Sequence, residues 1–151
     1  MPIRAGTPAR PRKGAKNSAN TGSVAVAALR MEDLCVWAVE RAEGFPRSLK
    51  FSVGDRFIDA NLRVVECLIE AAYTRDKRPA LQAASRALVR ARVVARLAQR
   101  LRALSHDQLH HFENESVEVG RMLGGWLRYV NQRDEVEAGA APASEVVAPA
   151  P

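Results

Sequence analysis

Apolar residues recur every three to four positions through the middle of this chain, and no alternating stretch is sustained enough to make a strand. Breakers and caps divide the pattern into four helical segments. The first runs from about Arg30 to Glu43, with Leu34, Trp37, Ala38 and Arg41 on one face. It stops at Gly44, ahead of Phe45 and Pro46, because proline disfavours helix in the residue before it. The second begins at Ser52, whose hydroxyl is placed to cap free amides, with Asp55 favouring the positive helix end, and reaches about Tyr73. Phe57, Val64, Val65, Leu68 and Ala72 form its core stripe. Asn61 projects into the same sector, where a buried amide must find a partner and would set helix register. The third starts near Pro79, acceptable in a first turn because its missing amide hydrogen goes unused there, and ends near Leu104. Ser105 and Gln108 then form a capping box that opens a fourth helix lasting to roughly Arg133, lined inside by Leu109, Phe112, Val119, Leu123, Trp126 and Val130. Four such helices with short connections predict an all-α fold, an antiparallel up-down-up-down bundle with disordered termini.

The segments outside the pattern differ in composition. Residues 1–23 hold Arg4, Arg10, Arg12, Lys13 and Lys16 with no acid and almost no large apolar residue, which predicts a disordered basic tail. Prolines and glycines there break the amphipathic helix that a transit peptide would need. Residues 135–151 form an Ala, Pro and Glu tail with the same limitation, leaving 24–134 as the bundle. The longest apolar run, Val24 to Leu29, is far shorter than the ~20 residues of a membrane span, so a cytoplasmic protein is expected. Cys35 and Cys67 both fall in apolar helical stripes, consistent with buried reduced thiols in a reducing compartment.

Charge adds a direction to this picture. The chain carries a formal charge of +6 and a pI near 10.0, making polyanions its natural partners. The third helix concentrates the effect, since from Lys77 to Leu104 there is no Asp or Glu. Ala84, Leu88, Ala91, Val94, Ala95, Ala98 and Leu101 occupy its core side. Arg86, Arg90, Arg92, Arg96 and Arg100 fall opposite, within an arc of roughly 160°. Several of these are like-charge i,i+4 neighbours, each costing a few tenths of a kcal/mol, and guanidinium suits bidentate contact with phosphate. Lys77 and Arg78 extend the candidate nucleic-acid surface. The competing reading is a solvated face paired with acids on neighbouring helices such as Glu66, Glu70 or Glu118. Val89, Val93 and Leu97 sit among the arginines and would expose an apolar seam on a monomer, so they are candidate subunit-interface residues. Gly120 and Gly124, one turn apart on the fourth helix, leave a flat strip for close helix approach within a subunit or between subunits. Few aromatics accompany the arginines, so phosphate and shape contacts should dominate over stacking on this face.

Catalytic signatures are weak. His106 and His110 are one turn apart near Glu113 and Glu115, but no clear third ligand on another element accompanies them, so no metal and no cofactor are expected. A phosphate-binding glycine loop and a nucleophile elbow are both missing, and a non-enzymatic protein is the expectation.

Two motifs carry a resemblance. Phe45-Pro46-Arg47-Ser48 is followed by Phe51 and Gly54-Asp55-Arg56, and Glu118 to Arg128 reads Glu-Val-Gly-Arg-Met-Leu-Gly-Gly-Trp-Leu-Arg. With the arginine-rich helix between them, the chain from roughly Met31 to Asn131 resembles the accessory, Avd-type, proteins of diversity-generating retroelements. The resemblance implies a barrel-like homopentamer of four-helix subunits that binds the retroelement's reverse transcriptase and its template-repeat RNA, with DNA as a further nucleic-acid partner. It implies support of mutagenic cDNA synthesis, with the catalytic carboxylates and metal on the polymerase. Its nucleic-acid contacts map onto Arg86, Arg90, Arg92, Arg96 and Arg100 by helix and charge. The bundle proteins encoded in rRNA intervening sequences share the general pattern, which leaves a structural bundle with no polymerase partner as the alternative.

Overall fold

Four long helices carry the fold in a computed structural model that describes residues 15–140, with side chains from residue 22 onward. Helix α1 (Ala15–Glu43) leads through a single turn, α2 (Arg47–Leu49), and a π turn, Lys50–Gly54, into α3 (Asp55–Tyr73). Helices α4 (Arg78–Arg100) and α5 (His106–Gly139) follow, and there is no strand among the described residues. Each long helix has two neighbours: α1 packs on α3 and α5, and α4 packs on α3 and α5, so α1 and α4 sit diagonally. Contacts at Arg78–Asp134, Arg92–Ser116 and Arg96–Glu113 climb α4 while descending α5.

The core is the sum of the inner stripes. Phe57, Asn61, Val64, Val65 and Leu68 of α3 are buried, as are Leu109, Phe112, Val119, Leu123 and Trp126 of α5, while Ala72 and Val130 pack partly buried against them. An aromatic cluster gathers where α1 ends and α3 and α5 begin. Ring centroids lie 5.3 Å apart for Phe57 and Phe112, 6.2 Å for Trp37 and Phe112, and 6.4 Å for Phe45 and Phe57. Cys67 is buried and Cys35 half-buried, both as free thiols; burial, aided by the nearby Glu32 charge, pushes the Cys35 pKa up to about 11.

The element ends depart from expectation in instructive ways. Helix α1 starts at Ala15 rather than near Arg30, because Val24, Ala27, Ala28 and Met31 carry the buried stripe of Leu34 and Ala38 nearly three turns further back. Part of the segment expected to be a tail is therefore helical, and residues 1–14 lie outside the described residues. Ser52 caps nothing: it sits inside the π turn, and its hydroxyl donates back to the carbonyls of Leu49 (3.4 Å) and Ser48 (3.5 Å). Helical structure resumes at Arg47, directly after the extended Pro46. Asn61 is buried as expected, but its partner is on its own helix: Nδ2 donates to the Phe57 carbonyl at 2.7 Å, and Oδ1 has no partner among the described residues.

Helix α4 ends at Arg100, one turn before Leu104, in a Schellman motif. Ala103 N donates to the Ala98 carbonyl (2.8 Å) and Arg102 N to that of Gln99 (2.9 Å), with Arg102 in the left-handed region at φ 61°. Leu101, expected in the core, is consequently exposed, and Leu104 is buried instead. The Ser105–Gln108 capping box forms as the sequence predicts: Gln108 N donates to Ser105 Oγ (3.1 Å) and Ser105 N to Gln108 Oε1 (2.9 Å). With no breaker after Arg133, α5 continues to Gly139, using the first residues of the segment expected to be disordered; residues 141–151 are outside the described ones. No described helix is long and apolar enough to cross a membrane.

Glycine is the residue a Schellman motif favours at the left-handed position, and arginine there carries a steric cost. The substitution Arg102→Gly should raise stability by about 0.5–1 kcal/mol in urea unfolding. A loss of stability would show that the Arg102 side chain makes a compensating contact.

Candidate nucleic-acid interface

Helix α4 divides sharply into two faces. Ala80, Leu81, Ala84, Ala87, Leu88, Ala91, Ala95 and Ala98 are buried, and the small alanines bring its backbone close to the neighbouring helices. Arg86, Arg90, Arg96 and Arg100 are exposed on the opposite side, interleaved with the exposed Val89, Val93 and Leu97. Among the described residues, no carboxylate lies within 4.0 Å of Arg86, Arg90 or Arg100. Arg96 approaches Glu113 at 3.9 Å, a long contact between two partly exposed side chains that is worth little in water. Glu66 and Glu118, named as competing partners for the arginines, are engaged by Arg63 and Arg121 on their own helices.

The other three predicted cations are held within the subunit. Arg92 is half-buried: its Nε donates to Ser116 Oγ (2.9 Å) and its Nη2 to the Ser116 carbonyl (2.5 Å), while the Ser116 hydroxyl donates to the Glu113 carbonyl (2.9 Å). Burial, with the neighbouring Arg96 charge adding to it, draws the Arg92 pKa below its ordinary value. Lys77 directs its Nζ at the carbonyl end of α3, donating to Ala71 (2.8 Å), Ala72 (3.3 Å) and Thr74 (3.4 Å), where a cation satisfies terminal carbonyls and the helix dipole. Arg78 is paired with Asp134. Position on a helical wheel placed Arg92 in the cationic arc, but its edge of that arc faces α5.

Gly120 explains why α5 admits the Arg92 side chain. A Cβ there would lie 3.0 Å from Arg92 Nη2 and 3.4 Å from Leu88 Cδ2, so the missing side chain is the seat of the guanidinium. Gly124 serves no such purpose inside the subunit, since a Cβ there would meet nothing within 4 Å. Ser116 escaped the sequence reading, although a hydroxyl one turn before Gly120 in an otherwise apolar stripe was the available signal.

Two further features lie away from this face. Between α1 and α5, Arg30, Asp33, Leu34, Trp37, His111 and Glu115 line an open groove of about 450 Å³; its two carboxylates and single arginine make it unsuited to phosphate. His111 stands 5.1 Å from Trp37, ring to ring, and no cluster of three His, Cys, Asp or Glu side chains is placed to hold a metal ion among the described residues.

Comparison with known proteins places these features in context. A family model described as bAvd-like matches residues 25–130, which takes in α3, α4 with its arginine face, and most of α1 and α5. No curated protein matches the chain.

The seating of Arg92 makes the effects of two substitutions depend on each other. Gly120→Ala should bring no gain in the natural background, because the new methyl group displaces the guanidinium from Ser116. In an Arg92→Ala background the same change should stabilise by about 0.5–1 kcal/mol, the helix preference for alanine over glycine. Equal effects in the two backgrounds, measured by urea unfolding, would show that Gly120 and Arg92 are not coupled.

Proposed function

This chain belongs to the bAvd-like family, and from that premise we propose that it is the accessory nucleic-acid-binding protein of a diversity-generating retroelement. In this reading it has no catalytic centre and no cofactor of its own. It acts in the cytoplasm, binds the retroelement's reverse transcriptase and template-repeat RNA, and supports mutagenic cDNA synthesis as a homopentamer. Its subunit is an up-down-up-down antiparallel bundle, an arrangement supported by the pairs that climb α4 as they descend α5 and by the short connections between successive helices.

The observation that carries the proposal is the outer face of α4, where Arg86, Arg90 and Arg100 stand exposed and without a carboxylate partner among the described residues. A row of guanidinium groups whose charge is not balanced by its own subunit attracts a polymer of phosphates. Arg96, joined only loosely to Glu113, is free to exchange that contact for a phosphate. Val89, Val93 and Leu97, exposed at 55%, 41% and 47%, supply an apolar seam for contact between copies, and Gly124 offers a strip that no group of its own subunit fills.

Reversing Arg90, Arg96 and Arg100 to Glu should abolish RNA binding in a filter assay at moderate salt, with circular dichroism and light scattering unchanged. Binding by the natural protein should weaken steeply between about 50 and 200 mM salt, as counterion release demands. Retained binding in the triple variant would remove α4 as the nucleic-acid surface.

A further inference from the structure

Three unusual features meet at one end of the bundle. The π turn Lys50–Gly54 precedes α3, and π geometry in an otherwise helical path is uncommon and concentrates at functional sites. Phe51 on this turn is 75% exposed, the most exposed phenylalanine among the described residues. Arg102 holds the left-handed backbone conformation that ordinarily selects glycine. The turn packs against both α1 and α4. Because residues 74–77 join α3 to α4 at the other end, the π turn lies toward the end where α4 finishes, in the part of the chain that carries Arg100 and Arg102.

The local packing turns Phe51 outward and holds it there. Gly54 lies buried against α1, where its Cβ position is 3.6 Å from the Phe45 ring and 3.7 Å from Ala42 Cβ, and Val53 packs partly buried on the core. Phe45 and Phe57 stack beneath this segment. The outward ring thus stands on a rigid base of aromatic packing. On the same turn, the elements flanking it and the end of the α4 segment it packs against, Arg47, Arg56, Arg100 and Arg102 are exposed and Lys50 is half-exposed, none with a carboxylate within 4.0 Å among the described residues. These five cations outnumber Glu43, Asp55, Asp59 and Asp107, the exposed acids near them in sequence.

An exposed aromatic ring among unpaired cations is the arrangement that holds single-stranded nucleic acid, the ring stacking on a base while the cations take the flanking phosphates. We propose that Phe51, with Arg47, Lys50, Arg56 and Arg102, forms a stacking platform for an unpaired nucleotide of RNA whose backbone continues along the arginine face of α4. The inference rests on the nucleic-acid reading above and deepens it: α4 recognises phosphate charge in any RNA, and the π turn prefers unpaired RNA over duplex. A protein partner docking on Phe51 is the competing occupant, and it would use the apolar area of the side chain rather than the aromatic ring.

The test uses the full chain and two fluorescein-labelled probes of equal length, an unstructured pyrimidine-rich RNA and an RNA duplex, followed by anisotropy. Phe51→Ala and Phe51→Leu should each weaken binding of the unpaired RNA by about tenfold and leave duplex affinity within about twofold, while Phe51→Trp should restore it. The ring is exposed, so these variants should keep the natural helicity. If Phe51→Leu binds the unpaired RNA as the natural protein does, or both probes weaken equally, the stacking platform is overturned while the α4 surface stands. If the natural protein binds neither probe, both readings fail together.

Discussion

The inner face of α4 determines most of what the rest of the molecule does. Six of its eight buried residues are alanines, so α4 fits between α3 and α5 with little side-chain bulk separating the backbones. That close fit requires a helix with small residues on one side. It leaves the other side free of packing duties, and there the chain has placed arginines and β-branched or leucine residues without one acid from Lys77 to Leu104. The cationic face is thus the outward consequence of an alanine seam, and apart from the long Arg96–Glu113 contact its exposed arginines meet no carboxylate among the described residues, Glu66 and Glu118 pairing on their own helices instead.

Arg92 shows how the two faces are kept in place. Its guanidinium crosses from α4 to α5, where Ser116 offers both a hydroxyl and a carbonyl and Gly120 leaves room. Hydrogen bonds from a charged donor in a half-buried setting are stronger than those between exposed ion pairs such as Arg30–Glu115. One arginine of the row is therefore structural, and it fixes the rotation of α4 that presents the others to solvent. At the start of the same helix, Lys77 and Arg78 act similarly: Lys77 is taken up by carbonyls and Arg78 by Asp134.

The other end of α4 points to a division of labour within the bundle. The aromatic cluster of Phe45, Phe57, Phe112 and Trp37 stiffens the region where α1 finishes and α3 and α5 begin. Against it lies the π turn, whose Gly54 sits by the Phe45 ring, a departure from regular geometry that the packing beneath can sustain. The groove between α1 and α5, by contrast, is lined by Asp33 and Glu115 as well as Arg30 and adds nothing to the attraction for phosphate.

Much of this was legible in sequence, because helix identity and core stripes follow from a period that side-chain chemistry imposes locally. The inner residues of α3 and α5 and the separation of alanine from arginine on α4 came from that period, the Ser105–Gln108 box from residue types that satisfy free amides, and the resemblance from the particular residues of Phe45 to Arg56 and Glu118 to Arg128. Tertiary structure decided what a wheel cannot show. Whether α1 continues back to Ala15 depends on neighbours for Val24 and Ala27 to bury against, and whether Arg92 is free depends on a serine and a glycine 24 and 28 positions away. The exposure of Phe51 was equally hidden, since between Lys50 and Ser52 no apolar stripe says which way its ring faces, and only the packed π turn shows it in water. Periodicity reports the face a residue shares with its own helix; only the packed molecule reports what stands opposite.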